Sequence, residues 1–192
     1  MDKQAFQQKI LVWYEKNKRD LPWRKTINPY HIMVSEIMLQ QTQVDRVIPK
    51  YEAFLKAFPT IQNLAEAPTS QVLELWSGLG YNSRAIRLQE AAKVICKRYE
   101  GQVPKNRDAL MNLPGIGPYT SNAILSFAHN LSFPCIDTNI RRIILHELKL
   151  SESTSQEKLY VLAESLIPEN RSRDWHNALM DYGALVPTAH VT

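Results

Sequence analysis

Glu36 stands in the run IMVSEIMLQQT, where its neighbours at helical spacing, Ile32, Met33, Leu39 and Gln40, form a largely apolar face. A carboxyl pressed against apolar groups resists ionisation, and an acid that keeps its proton near neutral pH can donate it. An exposed glutamate on a solvated face is the competing account. A second carboxylate, Asp137 in FPCIDTNIRR, follows an apolar extended stretch and can cap a helix starting at Thr138. Taken alone it reads as a helix cap. Taken together, the two carboxyls match what cleavage of a glycosidic bond requires. One protonates the leaving group while the other stabilises an oxocarbenium-like sugar and orients water.

The stretch LPGIGPYTSNAIL, residues 113–125, places two glycines and two prolines between helical patterns. Pro114-Gly115 predicts a turn, Gly115 and Gly117 clear side chains from the approach path, and Pro118 suits a first helical turn. The result is a helix, a hairpin and a helix whose N-terminal N–H groups point outward, an arrangement that accepts a phosphate. A dinucleotide fingerprint would need a preceding strand and a third glycine, and a nucleotide phosphate loop would need Gly-Lys-Ser/Thr; neither is present. A tight turn between packed helices remains the plain alternative. Gln40, Gln41, Thr42 and Gln43 follow the apolar run around Glu36; their amides can probe base edges, or simply make a polar helix end.

The elements around these residues read as helices. Of 192 residues, 44% are apolar and 22% charged, with 11 prolines against 6 glycines and few strand-like runs. Helices are predicted over residues 3–17, 30–43, 44–58, 60–67, 69–76, 83–99, 105–112, from the hairpin to about 128, from about 137, and over 155–166 and 173–185. No run approaches 18 apolar residues and the N-terminus has no signal-peptide pattern, so a cytoplasmic protein away from membranes is expected. The net charge of +4 permits a polyanionic partner, and the dispersal of Lys16, Lys18, Arg19, Arg24, Arg84, Arg87, Lys97, Arg98, Arg141 and Arg142 favours a folded basic face over a tail. Cys96 and Cys135, the only two cysteines, build neither a disulfide framework nor a four-thiolate site.

From about Leu21 to Val186 the chain resembles the MutY-type adenine DNA glycosylases of the helix-hairpin-helix superfamily. The resemblance is carried by LPWR, PYHIMVSEIMLQQTQV, VIPKYEAFLKAFPT, LWSGLGYNSRA, LPGIGPYTSNAIL, IDTNIRR and ALMDYGAL. It implies an all-α fold of two helical lobes with the active site in the cleft between them. Residues 23–130 would form the central lobe with the hairpin, and residues 1–22 plus 131–192 the second. It implies that Glu36 protonates adenine and assists water addition, that Asp137 stabilises the sugar cation, and that Asn139 orients the site. Tyr119 falls where bifunctional relatives carry a Schiff-base lysine, so base removal without strand cleavage is expected. Trp23, Arg24 and Leu39 match residues lining the base pocket, and Asn177 stands where relatives often have Gln or Glu. Gln41 and Tyr81 match residues that enter the duplex opposite the adenine. Gly115, Ile116 and Gly117 would hold the backbone of double-stranded DNA, with Gln40, Thr42, Tyr119 and Thr120 beside them. A monomer is expected.

Two departures shape the expectation. Most close relatives bind a [4Fe–4S] cluster through four cysteines just beyond MDxGA; here Pro187 stands at the first of them, so no cluster and no other cofactor is expected. Full-length members of the family carry a further C-terminal domain that recognises 8-oxoguanine, and none is expected here after Thr192. Adenine opposite 8-oxoguanine or guanine is the expected substrate. A thymine (G:T) mismatch glycosylase of the same superfamily, or a DNA-binding remnant without chemistry, are the alternatives.

Overall fold

The computed structural model describes residues 2–186; Pro187, on which the cluster expectation rests, lies outside them. The described residues form eleven α-helices and one short 3-10 turn, with no strand. In chain order the helices are α1 (Lys3–Asn17), α2 (Pro29–Leu39), α3 (Val44–Ala57), α4 (Ile61–Glu66), α5 (Thr69–Trp76), α6 (Ser83–Tyr99), α7 (Arg107–Met111), α8 (Pro118–His129), α9 (Thr138–Glu147), α10 (Gln156–Ser165) and α11 (Ser172–Leu185), and the 3-10 turn is Pro22–Arg24. None is long and apolar enough to cross a membrane.

The chain divides into two compact units, one running from Leu21 to His129 and the other joining residues up to Asp20 with those from Asn130 onward. In the first unit, α2 packs against α8 and α3, α4 and α5 pack on α6, and α7 packs on α8. Helix α2 begins with Asn28, whose side chain accepts the Tyr30 N–H, and with Pro29 at the first helical position. Its residues from Ile32 to Met38 are all buried, so it is a core helix on every side rather than an amphipathic one. Phe54 and Trp76, both fully buried, meet edge to face at 6.1 Å.

In the other unit, α11 packs on both α1 and α9. Its core joins Phe6 and Ile10 of α1, Ile143 and Ile144 of α9, Leu159 of α10, and Trp175 and Leu179 of α11. The ring of Phe6 meets that of Trp175 edge-on at 5.5 Å. Asp181 has no exposed surface and is held by Arg19, whose Nε donates to it at 2.6 Å and whose backbone N–H donates at 2.9 Å. A buried carboxylate is tolerated there because charge and hydrogen bonds are both satisfied.

The predicted helix over 30–43 ends at Leu39 instead. Gln40 takes a non-helical conformation and Gln41 a left-handed one, at φ 54°. No proline or glycine marks this stop. A distant side chain, Arg84, imposes it by taking the last carbonyls of the helix.

Candidate functional site

In the Leu21–His129 unit, the acidic candidate sits where the apolar pattern put it. Glu36 is 7% exposed within α2. One turn further along the same face, the amide of Gln40 donates to the Thr120 hydroxyl at 3.3 Å, fastening the end of α2 to the start of α8. Glu36 and the first turn of α8, which carries half-buried Tyr119, therefore belong to one end of the α2–α8 pair. The 3-10 turn packs on α2 as well. It carries Trp23, 8% exposed and edge-on to Tyr51 at 5.5 Å, and half-buried Arg24. Burial pushes the Tyr51 phenol up to about 12, so it stays protonated and serves Trp23 as an aromatic wall. Leu39, the last residue of α2, is half-buried.

In the hairpin Gly115 is exposed, Ile116 buried and Gly117 half-buried. Gly115 has φ 77°, and a Cβ there would lie 3.0 Å from Cβ of Arg87, so both its conformation and its neighbour require glycine. Gly117 has no left-handed φ, and a Cβ there would meet nothing within 4 Å. Nothing inside the unit requires a glycine at 117. Its missing side chain clears only the space in front of the hairpin, where a phosphate backbone can approach the first-turn N–H groups of α8. Ile116 points inward at 5% exposure, and its N–H donates to the Leu113 carbonyl at 3.2 Å. That hydrogen bond closes the turn that carries the two glycines. Thr120, 3% exposed, and half-buried Gln40 fasten the two helices to each other. Thr42 is half-buried, donating to the Gln40 carbonyl at 3.2 Å and accepting from Arg84 at 3.1 Å. Gln41 and Tyr81 are exposed, Tyr81 by 65%, and both are left-handed, at φ 54° and 47°.

The other unit holds Asp137, Asn139 and Asn177. Asp137 caps α9, accepting the Ile140 N–H at 2.7 Å, as its sequence setting predicts. Burial pushes its carboxyl above the usual range, while backbone N–H groups and Arg142 pull it back down. Asn139 lies against α11 at Gly183, where an added Cβ would come within 2.9 Å of Asn139 Cβ and 2.8 Å of Ile143 Cδ1. The same crossing is tied by Arg142, which donates to the Gly183 carbonyl at 2.6 Å and to Asn139 Oδ1 at 3.4 Å. Asn177 is buried on α11 at 9% exposure, beside His176 at 2%. The Cys135 N–H donates to His176 Nε2 at 3.1 Å, so Nε2 is the unprotonated nitrogen and Nδ1–H donates to the Ser172 carbonyl at 2.7 Å. Burial lowers the His176 pKa to about 4, which keeps this neutral tautomer and holds the segment leading into Asp137.

Sequence reasoning missed Arg84, His176 and Gly183 as determinants of the site. Arg84 passed as one of many scattered basic residues, and MDYGAL carried Gly183 without a stated role. A lone buried histidine leaves no pattern in sequence. The two cysteines are half-buried Cys96 on α6 and buried Cys135 ahead of α9, in different units. Among the described residues, no group of three or more His, Cys, Asp or Glu is arranged to hold a metal.

The described residues thus form an all-helical protein in which a glycine hairpin opens α8 and a buried acid sits on α2, the helix packed against it. Residues 34–169 match the family described as HhH-GPD superfamily base excision DNA repair protein, and the chain belongs to that family. It is 42% identical to the adenine DNA glycosylase of Mycolicibacterium smegmatis over 94% of this chain and 62% of that one. With the adenine DNA glycosylase of Buchnera aphidicola it shares 40% identity over 95% of this chain and 53% of that one. The chain thus spans little more than half the length of those relatives. A solved thermostable thymine-DNA glycosylase superposes with a TM-score of 0.92 at 32% identity, covering 98% of this chain and 89% of that one.

Proposed function

We propose that the chain is a DNA N-glycosylase that hydrolyses the bond between adenine and deoxyribose where adenine is mispaired with 8-oxoguanine or guanine. The observation that carries this reading is Glu36, a carboxyl buried in a largely apolar core helix whose end is fastened to the hairpin helix. Burying a carboxyl is costly, and general-acid chemistry on a base is a use that the cost serves. Identity of 40–42% to adenine DNA glycosylases supports adenine as the base.

In this reading Glu36 protonates the leaving base and assists water addition. Asp137, ionised, stabilises the oxocarbenium-like sugar, with Asn139 and Tyr119 supporting the carboxylates. Trp23, Arg24, Leu39 and Asn177 line the base pocket. Gly115, Ile116, Gly117 and the start of α8, with Gln40, Thr42 and Thr120 beside them, hold the backbone of duplex DNA, and Gln41 and Tyr81 enter the stack. Tyr119 has no amine and cannot form an imine with the sugar, so base release leaves the strand intact. The reaction is hydrolytic and uses no cofactor, and one chain suffices to carry it out. Thymine opposite guanine is the second reading, favoured by the 0.92 superposition on a thymine-DNA glycosylase.

The test is single-turnover base release from duplexes holding A opposite 8-oxoguanine, A opposite G, and T opposite G, followed by alkali. Adenine release that falls about 10²–10⁴-fold in Glu36→Gln, with DNA affinity kept, is the expected result. Thymine release moves the assignment to the second reading. Tight binding without release of either base overturns both and leaves a DNA-binding role.

A further inference from the structure

Arg84, the second residue of α6, makes more hydrogen bonds than any chain terminus around it needs. Its Nη1 donates to the carbonyls of Ile37 and Met38 in the last turn of α2 at 2.9 and 3.0 Å, and to that of Gln40 just past it at 2.6 Å. Its Nη2 donates to the carbonyls of Leu79 and Gly80 at 3.0 and 3.1 Å and to the Thr42 hydroxyl at 3.1 Å. The guanidinium carbon sits 5.4 Å from the Trp76 ring centre and 5.6 Å from that of Tyr81. One side chain therefore joins two segments far apart in sequence, 37–42 and 79–81.

Each of those segments presents one exposed non-glycine residue in the left-handed region, Gln41 and Tyr81. A non-glycine residue held there is strained, and an aromatic ring left in water forgoes its burial. Both costs are borne at two positions that flank the same guanidinium. A helix stop alone would need a single cation near the last carbonyls of α2, and would require nothing of residues 79–81.

We propose that Arg84 is a positioning residue that makes Gln41 and Tyr81 a single rigid wedge, so that both enter the base stack together when a nucleotide is extruded. The inference rests on the DNA glycosylase reading and deepens it. Lysine cannot replace the planar fork: its ammonium directs three donors from one point and cannot reach two sets of carbonyls on opposite sides. A rigid wedge matters because unstacking a base costs a few kcal/mol, and side chains that must first be ordered return less of it.

The experiment compares two substrates that differ only in whether the base is already out of the stack. One is a mispaired duplex with 2-aminopurine in place of the target adenine, whose fluorescence reads extrusion without chemistry. The other carries the same base in a single-nucleotide bulge. Adenine-containing versions of both are scored for single-turnover release. Arg84→Lys is expected to lower the fluorescence rise and the release rate about 10- to 100-fold on the mispair, and under about 3-fold on the bulge, as fits a lost share of the unstacking cost. Tyr81→Ala should show the same selectivity, and combining the two should add little. Thr42→Val, which removes the hydroxyl that accepts from Arg84 and donates to the Gln40 carbonyl but leaves the Arg84 bonds to Ile37 and Met38, should give a smaller loss of the same kind if Arg84→Lys melts too low to assay. Equal losses on both substrates, or none on either, overturn the proposal. A wild-type protein that extrudes 2-aminopurine yet releases no base keeps the wedge and overturns the glycosylase reading, whereas one that does not extrude it overturns the wedge.

Discussion

The two segments that carry carboxylates are built on opposite plans. Around Glu36, consecutive residues of one helix do nearly everything: Asn28 caps α2, Pro29 starts it, and a solid apolar run buries the acid. Around Asp137, consecutive residues do little beyond the cap. The segment ahead of it is extended and lacks a ladder of its own, and its Cys135 N–H is satisfied from α11 by His176, 41 positions away. Asn139 is pressed into place by the absence of a side chain at Gly183. A catalytic group on a helix is positioned by its own periodicity, whereas one at a helix entrance depends on whatever packs around the entrance.

Three changes bear on that contrast, beginning with the largest effect. Asp137→Asn keeps the cap, since asparagine caps as well as aspartate. It should lower single-turnover base release by about 10²–10³-fold, the scale of removing one preorganised electrostatic contact. Because burial raises the Asp137 pKa, its ionised form is penalised in the fold at neutral pH, so chemical denaturation should find this variant no less stable than the wild type. A clear loss of stability would break the contrast by making Asp137 a structural cap first.

His176 sharpens the contrast through pH. Its pKa falls from 6.5 to about 4 on folding, so between those values the unfolded chain binds more protons and stability rises with pH. Denaturation midpoints should show stability complete above pH 6.5 and lost as pH falls toward 4, by up to about 3 kcal/mol. His176→Gln should flatten that slope. An unchanged slope would mean that other groups set the acid sensitivity of this unit.

Gly183→Ala is the smallest change. The added methyl forces α11 away from α9, at a cost of about 1–3 kcal/mol in melting experiments. It should lower base release roughly tenfold through displacement of Asn139, with little change in DNA affinity, because the hairpin lies in the other unit. Equal losses of affinity and release would dissolve the distinction between the two regions.

Most of the helices were legible because each is announced locally. Prolines at 22, 29, 68 and 118 and the capping residues at 60, 106, 137 and 155 bracket runs of helical period. The stop of α2 at Leu39 was not legible, since residues 40–43 carry no breaker and only the Arg84 guanidinium ends the helix there. The inward turn of Ile116 and Thr120 was hidden for a related reason. In a hairpin of six residues, which side chains face the core is settled by the helices on either side. The sequence alone thus determined the helical class, the place of Glu36 in an apolar run and Asp137 as a cap, because these follow from spacing within a few residues. Tertiary structure alone decided that Arg84 joins two loops, that His176 stays neutral and that position 183 must be glycine, because each depends on atoms brought together from distant parts of the chain.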